Sequence, residues 1–521
     1  MSTGRKQQRR KISLIIALVS LGNFILHMAV SGNWELHRDA YLYLNYAAHP
    51  AWGYISVPPF IMVISTFAVK LLGGSAFVVR LFPALAVGVG TAYVGVITKD
   101  LGGKQWAVLI ATLAYALSPA FLRMGSLFQP VAFNQLFWLM FFYFFVQMLR
   151  TRNLNYWYLI ALISGLGMLN KYTMLIPIGT AVLGLLVGRR FKTLFCRQFW
   201  IGLASIVLLI TPNIIWQHNH SWPLFYHLNE LSTKQLVNFG PIHFTNMQFL
   251  MNAHGIFIWL FGFLSFFLYK PFKPYRPIGY AFLFMWLSLA LVGAKPYYML
   301  GVYPILFVFG SLIIEFKTKK AEWLRPLSAS MIALVALMLL PLSLPFFRVD
   351  TMVSYGKVLK SLGIVSPYMW EDGTYHELPQ DFADMRGWKD FAGLAKEAYA
   401  GLTEDEKSRL VVFGNSYGKV GAYNYYNREE ALPDGYSFEG SYMFWAPESI
   451  PHNCVMLFLD KPSEELASRF TSVKKVKTLN VELARENGSE IYILKNPIEN
   501  FDEDYKAYRK ETVQPFYRKP L

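Results

Sequence analysis

Long apolar runs fill the first two thirds of the chain, too uniform for the surface of a soluble protein. The first is Ile12–Val30, and others lie near Leu81–Thr98, Trp106–Leu122, Val131–Leu149, Tyr156–Leu169, Thr173–Gly188 and Phe199–Trp216. Four more follow near Gly255–Tyr269, Ile278–Gly293, Leu300–Glu315 and Leu327–Phe346. Runs of about 18 to 20 apolar residues suit a helix that crosses the hydrocarbon of a bilayer. The pattern therefore predicts a polytopic α-helical membrane protein with about 11 transmembrane helices. One apolar segment differs. Pro58–Gly73 is broken by Lys70 and the Gly73-Gly74 pair, which predicts an interfacial helix in the first outer loop.

From about Phe347 the pattern changes to mixed charge with short apolar stretches. LVVFG (410–414), CVMLFLD (454–460) and EIYILK (490–495) read as buried strands. GWKDFAGLAKEAYAGL and PSEELASRF carry the helical period. We read residues 1–346 as a transmembrane domain and 347–521 as a small C-terminal α/β domain.

Charge gives these elements a direction. Only 16% of residues are charged, against roughly a quarter in soluble domains. The net charge of +16 invites a nucleic-acid partner, but its distribution excludes one. Before Phe347 there are 27 basic and six acidic residues; after it, 22 basic and 27 acidic. The basic clusters occupy alternate loops: Lys99 and Lys104; Arg150 and Arg152; Arg189, Arg190, Lys192 and Arg197; Lys270, Lys273 and Arg276; Lys317, Lys319, Lys320 and Arg325. Cytoplasmic loops carry such an excess. With an odd number of spans, the N-terminus is expected in the cytoplasm and the α/β domain outside, at the inner membrane. The first run is too long for a signal-peptide core and no small-residue cleavage site follows it, so it is expected to be retained. Cys196 and Cys454 fall on opposite sides in this topology and are not expected to pair.

The topology makes external carboxylates scarce. Of the six acids before Phe347, only Glu35, Asp39 and Glu230 face outward. On a helix beginning near Glu35, residues Glu35, Arg38, Asp39 and Tyr43 share one face. Asp39, with Glu35, is the candidate general base toward an acceptor hydroxyl, and Arg38 is a candidate for phosphate. The plainer alternative is an interfacial loop whose charges pair with one another. Arg123, Lys171 in GLGMLNKYTML, and Lys295 with Tyr297 and Tyr298 in GAKPYYML lie at the same side. Charges near membrane depth usually line a cavity, so these suggest a pocket for an anionic lipid headgroup; polar breaks at span ends are the alternative. Gln217, His218 and Glu230, in the long loop after Phe199–Trp216, are further pocket candidates. His218 and His220 are loosely spaced for metal ligands. A divalent metal therefore has weak support, and no cofactor is expected. GNSYG (414–418) follows a strand and reads as a tight turn more readily than as a phosphate cradle.

Several of these stretches are similar to a known family. E-L-x-R-D-x-x-x-Y at 35–43, WGY, the Pro-Pro pair, RLFPAL, GLGMLNKYT, PNIIWQHNHSWP and KPYYMLGVYPILF resemble the bacterial branch of the dolichyl-phosphate-mannose protein mannosyltransferase family. That is glycosyltransferase family 39, which includes the 4-amino-4-deoxy-L-arabinose lipid A transferases. GNSYGKVGAYNYY and YMFWAP in the tail resemble its outer domain, so the likeness spans nearly the whole chain. It implies a GT-C fold, a polyprenyl-phosphate-linked sugar donor, inverting transfer on the outer face, and a lipid, protein or glycan acceptor. It also implies that Asp39 matches the first acid of the family's Asp-Glu motif, and that Tyr43 and Tyr298 match tyrosines at the carrier phosphate. The chain departs from the pattern at Ala40, where the second acid would stand, and at Val57, where a basic or polar residue usually precedes Pro-Pro. That leaves Arg38, Lys171 or Lys295 to neutralise phosphate.

Two other classes remain open. A transporter or flippase of a lipid-linked sugar generally needs ionisable groups near the midplane of its spans, and the sequence reading finds none there. A binding protein of the same fold that has lost catalysis is the other, prompted by Ala40 and Val57.

Overall fold

The computed structural model describes residues 2–235, 240–430 and 432–518 of the chain. Compaction divides it into two units: Met1–Gly32 with Arg80–Pro212 and Glu230–Phe347, and Asn33–Val79 with Asn213–Asn229 and Arg348–Leu521. A single cut near 347 therefore does not describe how the chain compacts. Residues 33–79 group with the tail.

The first unit is helical. Among the described residues, six helices are long and apolar enough to cross a membrane: 6–29, 76–100, 130–151, 197–219, 296–317 and 324–343. Two bent pairs raise the number to eight if each counts as one span. This is fewer than the eleven runs read from the sequence, and the reason is length. Tyr156–Asn170 and Leu175–Val187 have 15 and 13 residues, so each is about 20 Å long, short of the hydrocarbon thickness of about 30 Å. The run read as Trp106–Leu122 is a helix over Gln105–Ala116 that turns by 54° into Pro119–Ser126. The break falls where Pro119 lacks the N–H that would continue the ladder. Pro241–Met251 and Ala253–Leu268 form the second pair, at 62°.

Glycines set the closest helix contacts. A side chain at Gly262 would collide with the carbonyl of Leu306, and one at Gly310 with that of Ile258. Helices Ile256–Leu268 and Tyr303–Lys317 therefore touch backbone to backbone, as apolar helices do where small residues line the contact. Trp138, Phe142, Trp259 and Phe309 fill the centre.

Half of the six acids before Phe347 serve this packing. Glu315 accepts main-chain N–H groups from Lys104 at 2.7 Å and from Trp106 and Ala107 at 3.1 Å, which satisfies the start of helix Gln105–Ala116. Asp100 accepts from Tyr143 and Gln147, both at 3.1 Å, and Glu322 pairs with Arg325 at 2.8 Å.

The second unit contains a five-stranded sheet: β1 (Leu410–Phe413), β2 (Gly435–Tyr436), β3 (Val455–Phe458), β4 (Phe470–Thr478) and β5 (Glu490–Pro497). Their order is β2-β1-β3-β5-β4. β1 is parallel to β2 and β3, and β5 is antiparallel to β3 and β4. β3 is buried along its whole length, as suits a strand covered on both faces. β1, β3 and β5 fall where the sequence reading put strands; β2 and β4 are additional. Trp388–Ala400 is a helix as expected, whereas the helical part of PSEELASRF is only Glu464–Ser468 before β4 begins. Phe60–Thr66 continues as a π-helical turn through Leu71. At this length it is too short to span a bilayer.

Candidate functional site

The stretch around Asp39 is organised by a helix over Arg38–Asn45, which starts three residues later than expected. His37 sets that start: its Nδ1 accepts the N–H of Asp39 at 3.2 Å and caps the first turn. Glu35 is thus outside the helix and does not share its face with Asp39. Its carboxylate accepts the N–H groups of Trp388 at 2.7 Å and Lys389 at 3.2 Å, the first turn of helix Trp388–Ala400. Burial raises the pKa of Glu35 above the ordinary value, and the two N–H bonds offset part of that rise.

Arg38 and Asp39 meet the turn after β1. The hydroxyl of Tyr417 donates to Asp39 Oδ1 at 2.7 Å. The Arg38 guanidinium stands 4.4 Å from the centre of the same ring, donates to Ser416 Oγ at 3.4 Å and lies 4.0 Å from Glu439. Its Nε is buried and has no hydrogen-bond partner among the described residues. Burial and the negative charge of Asp39 together push the Tyr417 phenol well above its usual pKa, so it stays a donor. Beneath this layer, His37 Nε2 lies 3.6 Å from Asp384, which Arg485 pairs at 3.1 Å. Burial raises the pKa of Asp384, against the pull of His37, Arg485 and Arg38.

Glycines bring these elements together. Helix Tyr417–Asn427 lies against Arg38–Asn45, and a Cβ at Gly418 would lie 2.7 Å from Arg38 Cγ. One at Gly421 would lie 2.9 Å from Tyr41 Cβ. Further along, Asn424 donates to Asn45 at 3.1 Å and Ser441 accepts the N–H of Ile55 at 3.0 Å. Tyr43 is buried, with its ring edge-on to Tyr46 at 5.9 Å. Ala40 and Val57, the two departures, are also buried, at 1% and 5% exposure. A charged group at either position would have to be desolvated.

GNSYG holds no open cradle. The N–H of Asn415 goes to Asp460, that of Tyr417 to Glu439 and that of Gly418 to Ser416. Next to it, Lys419 is buried between Asp460 and Glu486, the latter at 3.1 Å. Burial opposes charge on both Lys419 and Glu486. Their attraction outweighs it, so the Lys419 pKa is raised and that of Glu486 lowered. The sequence reading missed Tyr417, Ser416, Glu439, Asp384 and this buried triad. The signal within reach was the pair of glycines three apart in YGKVGAY, which marks a face for close helix contact.

In the helical unit, Lys171 Nζ lies 5.2 Å from the ring centre of Tyr297 and 5.0 Å from that of Tyr298. The two rings stand edge to face at 4.9 Å. Lys295 begins the turn that carries them, its carbonyl accepting from Tyr298 N–H at 3.0 Å. Lys171 and the Tyr297-Tyr298 pair thus lie together, with Lys295 next to them in the chain. Arg123 is exposed on the short helix Pro119–Ser126. Gln217 is buried and accepts the N–H of Leu224 at 3.2 Å. His218 is exposed beside Trp222, and His220 bonds the Trp216 carbonyl at 2.8 Å and stacks on its ring. Glu230 ends helix Pro223–Glu230. Among the described residues no three His, Cys, Asp or Glu side chains gather as a metal would need. Two buried histidines lie in the helical unit: His27 bonds the carbonyls of Asn23 and Leu122, and His254 that of Ala114 at 2.7 Å.

These features define a polytopic GT-C membrane fold joined to an α/β sheet domain. Residues 56–216 match the family described as dolichyl-phosphate-mannose-protein mannosyltransferase. That stretch includes Arg123 and Lys171 and begins after Asp39. No curated protein sequence matches the chain. The crystal structure of ArnT from Cupriavidus metallidurans in the apo state is similar, with a TM-score of 0.62 at 13% identity over 92% of this chain and 97% of that one. The same protein bound to undecaprenyl phosphate gives a TM-score of 0.59 at 12% identity, over 95% and 98%.

Proposed function

We propose that the chain is an inverting glycosyltransferase that moves a sugar from a polyprenyl-phosphate carrier to an acceptor. The observation that carries this reading is the fold likeness, over more than nine tenths of both chains, to a protein crystallised with undecaprenyl phosphate. The acceptor oxygen or nitrogen attacks the anomeric carbon, the bond from that carbon to the phosphate oxygen breaks, and polyprenyl phosphate departs. Asp39 takes the acceptor proton. The leaving phosphate gains negative charge as the bond breaks, so a fixed cation lowers the barrier. In the helical unit Lys171 is the first candidate because Tyr297 and Tyr298 hold its ammonium, with Lys295 and Tyr298 beside it in the set; Arg38 is the candidate next to Asp39.

The reading places the protein in the inner membrane, with its N-terminus cytoplasmic and transfer on the outer face. The alternation of basic clusters between loops supports this sidedness. The sheet domain would then be extracytoplasmic. A metal is not required by this scheme. The test is release of polyprenyl phosphate from a panel of labelled polyprenyl-phosphate sugars by purified protein, read by mass spectrometry. Asp39→Asn with full activity would refute the base assignment. Donor binding without turnover would favour a lapsed member of the fold, the reading that Ala40 motivates.

A further inference from the structure

In an open sheet with parallel strands, ligands bind outside the carboxyl ends of the strands, where the chain reverses its direction of winding. Here β1 leads to β2 on one side and the chain then returns to β3 on the other. The switch point lies at the ends of β1 and β3, where Ser416, Tyr417, Lys419 and Asp460 sit. What occupies it is the chain's own Arg38 and Asp39, through the contacts of Ser416 and Tyr417. Lys419 is committed to Asp460 and Glu486.

We infer that Tyr417 is a positioning residue for the transfer reaction: the sheet domain takes residues 38–39 as its resident ligand, and the Tyr417 hydroxyl fixes the orientation and charge of Asp39. The inference rests on Asp39 being the base. A phenol that donates to a carboxylate favours the ionised form and removes the side chain's freedom to rotate. Other groups electrostatically tied to Asp39 include Arg38, which favours its charge, and Asp384 and Tyr46. Glu439 acts on Arg38, 4.0 Å away, and on Tyr417, whose main-chain N–H it accepts.

The experiment is the pH dependence of kcat/KM for polyprenyl-phosphate release by the full-length protein, compared among wild type, Tyr417→Phe, Glu439→Gln and Asp39→Asn. Losing one hydrogen bond to the carboxylate should move the acidic limb of the Tyr417→Phe profile up by about one pH unit. On that limb the rate should drop by roughly tenfold, with KM for the donor unchanged. Removing the charge of Glu439 should move the limb the opposite way, to lower pH. A role limited to packing would scale activity equally at every pH, and an unmoved limb in Tyr417→Phe would overturn the inference. If Tyr417→Phe does not fold, Tyr417→Met, which also lacks the hydroxyl, carries the test: a shift upward supports the inference and no shift overturns it. Full activity in Asp39→Asn would sink the base assignment itself. An inactive Asp39→Asn with an unmoved Tyr417→Phe profile would sink only the role of Tyr417.

Discussion

Glu35 and Trp388 are joined across 353 positions of sequence by one 2.7 Å hydrogen bond, from a main-chain N–H to a carboxylate. The bond caps helix Trp388–Ala400 and commits one carboxylate oxygen of Glu35 to the main chain. Glu35→Ala should lower stability by about 1 kcal/mol, as cap removals do, while Glu35→Gln, which keeps an acceptor oxygen, should retain most of the transfer rate. The sign of the pH effect follows from the raised pKa of Glu35. The folded state then binds the proton more tightly than the unfolded state, so this group's contribution is greatest in acid. It declines as pH rises above the ordinary value of 4.5. Thermal unfolding of wild type and Glu35→Gln across that window should show a downward slope in the former that the latter lacks.

Lys419 gives the opposite pattern at the acid end. Its partner Glu486 has a lowered pKa, so its stabilisation is present above 4.5 and is lost as pH falls through the folded value. The raised pKa of Lys419 adds stability below 10.5 that disappears as pH rises through its folded value. Lys419→Met strands the buried Asp460 and the partly buried Glu486 and should cost about 3 to 5 kcal/mol. Denaturant unfolding at neutral pH measures the loss, and a change under 1 kcal/mol would contradict the buried network.

At Lys171 the prediction concerns chemistry. Lys171→Met removes the ammonium held by Tyr297 and Tyr298 and should reduce carrier release by about a hundredfold, the scale seen when one preorganised donor is deleted. Tyr298→Phe, which keeps the ring, should cost far less. Single-turnover assays on a labelled donor distinguish the two.

Gly421→Ala tests the contact between helices Arg38–Asn45 and Tyr417–Asn427. The new Cβ would meet Tyr41 Cβ at 2.9 Å and the Tyr41 main-chain carbon at 3.1 Å, so the helices must separate. We expect a loss of about 1 to 3 kcal/mol, the range for overpacking, and a lower transfer rate because Asp39 moves with its helix. A variant with wild-type Tm and activity would show that the contact is looser than described.

The membrane helices were legible because lipid imposes one rule, a continuous apolar stretch, on local sequence. Their number was less so, since Pro119 breaks a run whose composition does not change, and Tyr156–Asn170 is apolar without being long. Strands β1 and β3 announced themselves as buried apolar runs. β4 did not, because FTSVKKVKT has a single buried residue, lies at the sheet edge and carries three lysines. β2 has only two residues. At the site, Arg38 and Asp39 stood out by their scarcity. Their partners could not, because Tyr417 and Glu439 lie far away in sequence within a charged and aromatic segment where nothing local sets them apart. Glu35 misled for a related reason: helical spacing aligned it with Asp39, but the cap formed by His37 starts the helix after it.

The grouping of residues 33–79 with the tail also has a consequence for synthesis. A ribosome adding roughly 5 to 20 residues per second exposes Glu35 some 20 to 70 seconds before Trp388 exists to receive it, the separation being 353 residues. Until then the Asp39 segment lacks Tyr417 and Ser416, and the helices of the membrane unit after the first must be made in that interval. The order of translation thus delays assembly of the Asp39 cluster until nearly the whole chain has been produced.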